Sequence, residues 1–580
     1  MSAPISRILA FAFSSIFLIS PFLVDVKITR PKLMFMEFAL LAIFSARVME
    51  RLASGRVEIS RNRASLPVAA YCAAAVMFYI FSGNRALSFP ELKRILFFGV
   101  AFWLASDLVA SDVKNLTAFL WCFAGGTFWA ALYGLLQRSG GIWILSAPKM
   151  ERVFSTFGNP IFFGVYLTAA LPVLAAVTSA KKFSAPLRAF SATAFALSLA
   201  ALYFTATRAS WLAVAFAVVL YVALADIDVR RKIALLAAGA ALAAAFLYVT
   251  RGVWARQQAH VLIWRDTLKM WTAHPVFGVG QGLFHVKFPD YASAELLAIW
   301  PQSRAIINDA HNEFIQTLAE TGIVGFSFFA WAIAAFFAAA VSRLRAVGKA
   351  DPLTLGVFIS VASVLAQNFF SVDMRFAVSG IYIFALMGLA LPPDGKISFA
   401  VKSAPARAGL VAVAAAGAYM AAVSVASPYL AARREASRPD FFDEKVLDAA
   451  GTISELESLA AKHPDNMSVR EKLGWVYAKE KNFAAAVENY KAAIAVSPSR
   501  PGPYNNIGNI YFLTNRLDEA VVYYEKSIEV EPAQIDSRIN LALAHYYRGR
   551  LGPAAEQLKE VLRREPGNEK AAILMKRMKE

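Results

Sequence analysis

Two ionisable side chains, His311 and Arg208, stand at the edges of apolar runs, and a third, Arg265, lies in the hydrophilic stretch between them; each needs a partner or a task. His311 opens the dodecapeptide His311-Asn312-Glu313-Phe314-Ile315-Gln316-Thr317-Leu318-Ala319-Glu320-Thr321-Gly322, and the run from Ile323 to about Ala340 is apolar and long enough to cross a bilayer. A histidine ordinarily titrates near 6.5, so His311, expected on a helix just outside the hydrocarbon, suits general-base or acceptor-orienting work. Arg208 sits in Thr205-Ala206-Thr207-Arg208-Ala209-Ser210-Trp211, between two apolar runs, and Arg265 in Trp264-Arg265-Asp266. Each carries a permanent charge and a planar fork that fits phosphate. The plainer alternatives are that Arg208 snorkels from a tight turn, that Arg265 pairs with Asp266 on a solvated face, and that His311 only starts a helix. Glu313 either orients such a site or solvates its helix.

The segment that must position Arg265 and His311 is hydrophilic and covers about 251–320, longer than a connection needs, and long ordered loops tend to be functional. It begins with a helical stretch from Trp254 to Thr272 and continues through His274-Pro275 into Phe277-Gly278-Val279-Gly280-Gln281-Gly282. The glycine run lacks a preceding strand and a following acidic ribose partner, so it reads as a turn rather than a dinucleotide loop. Asn308-Asp309 are good helix-capping residues just ahead of His311. His260, His274 and His285, with Asp290, lack the tight spacing of a zinc signature and read as structural, so neither a metal nor another cofactor is expected.

Hydrophobic residues make up 58% of the 580-residue chain, more than a single soluble core could bury, so the class is a polytopic membrane protein with an appended soluble part. Cys72 and Cys122 both fall in apolar runs and suggest neither a disulfide framework nor a thiolate metal site. Hydropathy windows place about 13 spans, near 5–24, 33–48, 66–82, 94–110, 116–136, 161–179, 187–206, 209–225, 232–250, 322–342, 353–370, 376–391 and 408–427. With the N-terminus cytoplasmic, the inner loops collect Arg47, Arg51, Arg61 and Arg63 among others. The outer side collects Lys32, Lys93, Arg94, Arg138, Lys149 and Arg152, an excess that would favour an anionic lipid diphosphate.

The net charge of +18 resembles a nucleic-acid signature until it is divided. Residues 431–580 hold 23 Lys or Arg and 22 Asp or Glu, so nearly all the excess lies in the membrane part and nucleic acid is not an expected partner. After about Pro428 a 34-residue period appears. Leu473-Gly474, Ile507-Gly508 and Leu541-Ala542 are equivalent, as are Ala486, Ala520 and Ala554, then Tyr490, Tyr524 and Leu558, then Pro498, Pro532 and Pro566. This pattern resembles the tetratricopeptide repeat, with repeats at about 467–500, 501–534 and 535–568 behind a degenerate cap from roughly Asp443 to Asn466. The expected division is a membrane domain at 1–428 and a repeat domain at 429–580, the latter docking a protein partner or acceptor, or serving as a solubilising or dimerising appendage.

The Thr205–Trp211 turn, the Trp264-Arg265-Asp266 helix with its glycine turn, and His311-Asn312-Glu313 through Gly322-Ile323-Val324-Gly325 occur in that order. Together with Phe157-Gly158-Asn159-Pro160, they resemble the O-antigen ligase and polymerase superfamily, which includes protein O-oligosaccharyltransferases. The resemblance covers about 150–390. It implies an all-α polytopic bundle with a long periplasmic loop, and metal-independent transfer of a glycan from an undecaprenyl-diphosphate donor to a hydroxyl of lipid A core or another acceptor. The expected place is a bacterial inner membrane, with the repeats periplasmic. It also implies that Arg208, Arg265 and His311 are catalytic, with Arg208, Arg265, Asn159 and Glu313 binding substrate. The rival readings are a glycan polymerase, a protein O-oligosaccharyltransferase and, from a different class, a transporter whose repeats recruit a partner.

Overall fold

The computed structural model describes all residues except 1, 24–29, 143–144, 147–148, 225–227, 236, 238, 240–257, 300–306, 308, 347–350, 402, 437–446, 448–449, 451, 465, 499, 533, 566–567 and 579–580. The chain separates into two compact units, Met1–Tyr429 and Leu430–Glu580. The first contains α1 (Ser2–Ile19), α2 (Arg30–Ala53), α3 (Ser65–Ile80), α4 (Arg85–Leu104), α5 (Val113–Ser139), α6 (Pro160–Ser179), α7 (Ala185–Thr205), α8 (Arg208–Leu224), α9 (Gln258–Ala273), α10 (Glu313–Ala346), α11 (Pro352–Gln367), α12 (Ala377–Ala390) and α13 (Ala404–Ala436). Among the described residues, six helices are long and apolar enough to cross a membrane and four shorter ones are apolar. Most of the expected span near 232–250 lies outside the described residues, as do the start of the Trp254–Thr272 helix and Asn308.

The bundle is glued by aromatic side chains whose hydroxyls find partners inside it. Tyr382 packs edge-on against Phe17 and Tyr166 and bonds the Ser20 hydroxyl at 2.9 Å, while Tyr166 bonds Thr127 at 3.0 Å. Such pairing removes the cost of a polar group in an apolar interior. Among the described residues, two short antiparallel pairs add to the helices. Strand β1 (Arg56–Arg61) pairs with β4 (Gly395–Ala400), joining two connections far apart in sequence, and β2 (Gly141–Ile142) pairs with β3 (Leu145–Ser146).

α2 and α4 begin earlier than the hydropathy windows suggest, because those windows reject charges that are in fact paired. Lys32, Lys93 and Arg94 are therefore helix residues rather than outer-loop cations. Lys32 is fully buried and donates to the Thr156 hydroxyl at 3.0 Å, Lys93 pairs with Glu37 at 2.7 Å, and Arg94 pairs with Glu91. Arg47 and Arg51, expected in an inner loop, close on the buried Asp107 in the π-helical turn after α4. An intramembrane charge survives by such pairing.

The second unit stacks α14 (Ile453–Lys462), α15 (Met467–Lys479), α16 (Phe483–Val496), α17 (Pro501–Leu513), α18 (Leu517–Val530), α19 (Ile535–Tyr547), α20 (Leu551–Arg564) and α21 (Glu569–Arg577). The 34-residue period now has a packing cause. A methyl group on Gly508 would come 2.6 Å from the Tyr524 ring, and one on Gly474 3.0 Å from Tyr490. In the third repeat Ala542 faces this position and Leu558 replaces the tyrosine, both fully buried, so volume is conserved across the crossing. Gly508→Ala is therefore expected to destabilise the repeats by about 1–3 kcal/mol, and adding Tyr524→Leu to restore part of it. Hydrogen exchange over residues 501–530 of the full chain checks this; equal protection in wild type and Gly508→Ala would contradict the packing account.

Candidate functional site

The glycine turn and the His311 helix build one another. Gly322 has φ 61° and ψ −169°, so the backbone breaks inside α10. The break frees carbonyls before it and N–H groups after it, which must find partners if buried. The turn supplies them. Val279 N–H donates to Ala319 O at 3.0 Å and Gly280 N–H to Glu320 O at 2.9 Å, while Ile323 N–H donates to Pro275 O at 2.9 Å and Val324 N–H to Val276 O at 3.2 Å. The two segments approach so closely that a methyl group on Gly322 would lie 2.2 Å from Val276 O, and one on Gly278 2.3 Å from the Glu320 backbone. The turn is thus a clamp over a helix break, consistent with its rejection as a nucleotide loop.

A buried ion cluster fixes the same helix to the bundle. Arg375, between α11 and α12, pairs with Glu320 at 2.8 Å, Glu313 at 3.4 Å and Glu91 of α4 at 3.7 Å. Burial opposes its charge, yet the three carboxylates hold the guanidinium well above its ordinary pKa. Glu320 also accepts from Gly282 N–H and Phe284 N–H, so the cluster grips the turn as well. Glu313, buried and bonded by the Thr317 hydroxyl at 3.2 Å, is an anchor of the helix rather than a group that solvates it.

His311 lies two residues before the helix rather than on it. Its φ of 51° is rare for a non-glycine residue, and Asn312 is the cap, its side chain accepting from Phe314 N–H and Ile315 N–H. Asp309 does not cap this helix; it accepts the His311 backbone N–H at 2.9 Å and sits 3.1 Å from His311 Nδ1. The Asp309 carboxylate thus lies against the Nδ1 edge of the ring.

Around His311 the fold gathers residues from distant parts of the chain. The His260 ring of α9 stacks on His311 with centroids 4.6 Å apart and planes 23° apart. Burial pushes the His260 imidazole down to about 4, and the neighbouring His311 and Arg208 charges push the same way against Asp309. Burial lowers the Arg152 pKa, and the Arg208 charge lowers it further, so the two guanidinium groups lie near enough to repel. The 150–160 segment lies on the α7–α8 turn: Val153 N–H donates to Phe204 O, Arg152 Nε to Thr205 O at 3.0 Å, and the Thr207 hydroxyl to Pro160 O at 3.3 Å. Asn159 caps α6, its side chain accepting from Ile161 N–H at 2.8 Å. Gly164 keeps α6 and α8 close, since a methyl group there would sit 2.4 Å from the Ser210 hydroxyl.

Arg265 is turned elsewhere in this state. It donates to the Ser293 hydroxyl at 2.9 Å and pairs with Glu295 and Asp266, its side chain 42% exposed. The guanidinium holds the Glu295 carboxyl below its usual range. Asp266, with an inaccessible side chain, accepts from Ser293 N–H and hydroxyl and so fixes the 293–295 segment on α9. Sequence reasoning set His260 aside as structural and missed Arg375 and Asp373. Burial pushes the Asp373 carboxyl up to about 7 even though Ser371 and Gln367 donate to it, with the Asp309 charge adding to the rise. His274 bonds the Tyr291 hydroxyl at 3.1 Å.

Residues 193–330 match the O-antigen ligase family model, and 474–515 and 503–533 match two tetratricopeptide-repeat models. No curated protein matches the chain. Similar solved structures include MamA, at 19% identity over 22% of this chain and 74% of that one with a TM-score of 0.21. YrrB has 19% identity over 30% and 79% with a TM-score of 0.21, and the Arabidopsis OM64 tetratricopeptide domain 21% over 20% and 93% with a TM-score of 0.19. The chain is thus an all-α, multi-pass membrane protein that carries an O-antigen ligase domain at 193–330 and tetratricopeptide repeats within 474–533.

Proposed function

We propose that the chain transfers a glycan from an undecaprenyl-diphosphate carrier to a hydroxyl of lipid A core at the periplasmic face of a bacterial inner membrane, with its repeats on that same side. The observation that carries this reading is the His260–His311 stack, near enough to Arg208 to feel its charge, with Arg152 held on the turn that leads into Arg208. In such a transfer the bond from the sugar carbon to the diphosphate oxygen breaks as the acceptor oxygen attacks, and the acceptor loses a proton. The protein must therefore hold the diphosphate charge and receive that proton. Arg208 and Arg152 meet the first need, helped by the positive ends of α6 and α8 that begin beside them, with Asn159 shaping the start of α6. The His311 imidazole meets the second. Glu313 acts through its grip on the His311 helix, and no cofactor enters the reading.

Arg265 joins by exchanging partners. Its pair with Glu295 is exposed and solvent-screened, so a diphosphate can displace the carboxylate. Arg265→Ala is expected to slow transfer by roughly 100-fold, whereas Glu295→Gln, which only frees the arginine, retains the wild-type rate or exceeds it. Initial rates of both variants check the pair; a wild-type rate for Arg265→Ala would remove it from the site.

The reading is tested by reconstituting the full chain with a polyprenyl-diphosphate glycan and three acceptors: lipid A core, a second carrier-linked glycan, and a peptide rich in serine and threonine. Product on lipid A core is expected. Product only on the second glycan makes the protein a polymerase, product only on the peptide makes the repeats an acceptor dock, and no product with any acceptor sinks transferase chemistry.

A further inference from the structure

A cavity of about 1020 Å³ lies between α2, α3, α4 and α13. It uses the face of α4 that carries Leu92, Lys93 and Leu96, opposite the face whose Glu91 and Arg94 join the ion cluster, so it is separate from the His311 site. Its walls are apolar, with Phe44, Ala69, Phe97, Val100 and Val425 among them. α13 is an apolar span of which only 6% is buried, and it closes one side of the cavity through Ala421, Ser424 and Val425. In a bilayer an apolar gap between a bundle and a loosely packed span is filled by lipid, since water gains no hydrogen bonds there.

The charges at the two ends decide which lipid. At one end Lys93 is satisfied by Glu37 at 2.7 Å. At the other, beside the β1–β4 pair, Arg61 and Arg63 have no ion-pair partner within 4.0 Å among the described residues, and Asp394 offsets only one of the two charges. Arg63 donates to the Ser342 hydroxyl at 2.8 Å, which leaves its charge uncompensated. At this same end the indole N–H of Trp103 is buried without a hydrogen-bond partner, under the Arg51 guanidinium that also reaches Ser60. From Leu92 to Trp103 the wall of α4 is roughly 16 Å long, about half the hydrocarbon thickness of a bilayer and so the depth of one leaflet.

We propose that the cavity binds one acyl chain of an anionic phospholipid whose phosphate rests beside Arg61 and Arg63, tying α13 to the bundle. The occupant is a lipid of the leaflet facing the β1–β4 end, opposite the end that holds His311. A carrier whose diphosphate lies at Arg208 has its charge at the wrong end for these arginines. The site therefore stands independently of the transferase reading.

The test uses the full chain in detergent, exchanged into phosphatidylglycerol or phosphatidylcholine and examined by native mass spectrometry and lipid extraction. One phosphatidylglycerol is expected to remain per chain and to raise the thermal midpoint, with phosphatidylcholine retained less. Arg61→Ala with Arg63→Ala should cut phosphatidylglycerol retention by roughly 10- to 30-fold, and Ala69→Trp, which fills the cavity, should abolish it. Should Ala69→Trp fail to fold, the two arginine changes, lying outside the apolar core, still decide the matter. Equal retention of both lipids, unchanged retention in the double variant, or retention of a polyprenyl diphosphate alone would overturn the proposal.

Discussion

Replacing His311 by alanine is expected to lower glycan transfer by roughly 10²- to 10⁴-fold, the usual share of a positioned general base, without unfolding the protein. The expectation rests on what the side chain does and does not hold. Its ring is 38% exposed, stacks on His260 and contacts Asp309, while the helix behind it is capped by Asn312 and anchored by Glu313 and Glu320. Removing the imidazole therefore removes the proposed base and one face of a stack, and little packing. The loss should fall on kcat rather than KM, because the proposed diphosphate contacts remain. Asp309→Asn should show a smaller loss of the same kind, since it removes the negative charge beside the ring but leaves the imidazole in place. Initial rates at saturating donor, with a thermal midpoint for each variant, check both. A His311→Ala protein with the wild-type kcat would end the general-base assignment even if Arg208→Ala were inactive.

How much of this site was legible in the sequence depends on whether its logic is local. The 34-residue period is local, so the small residue at each helix crossing and its large partner could be read directly, and Gly508 against Tyr524 follows from that spacing. The edge position of His311 and the junction at Gly322 are also local, being a change from polar to apolar sequence. What no window contains is the meeting of segments. The Gly278–Gly282 run looks like a turn in isolation, and only the fold reveals that its N–H groups serve carbonyls freed by a glycine forty residues away. His260 carries no motif, and its importance arises from the ring stacked on it. Arg375 was hidden for a different reason: its carboxylate partners come from α4 and α10, and hydropathy treats each of those charges as a boundary instead of half of a pair.

The clamp over the helix break supplies the second large effect, through Gly322→Ala. The conformation at φ 61° and ψ −169° is essentially reserved for glycine and costs another residue about 1–3 kcal/mol. The added methyl group would also lie 2.2 Å from Val276 O, a contact with backbone that no rotamer change relieves. Escaping that contact means parting the two segments, which strands the four hydrogen bonds between residues 275–280 and 319–324, at about 1–3 kcal/mol for each buried group left unpaired. The variant is therefore expected to lose at least about 3 kcal/mol locally, to open the 274–284 turn, and to release Glu320 from Gly282 and Phe284. His311 stands at the free end of that helix, so transfer should fall together with the clamp. Hydrogen exchange separates this from general unfolding: the amides of Val279, Gly280, Ile323 and Val324 should exchange faster while the repeats at 467–568 keep their protection. Wild-type exchange at those four amides, with wild-type transfer, would show that the break does not depend on the glycine and that the turn is not what holds His311 in place.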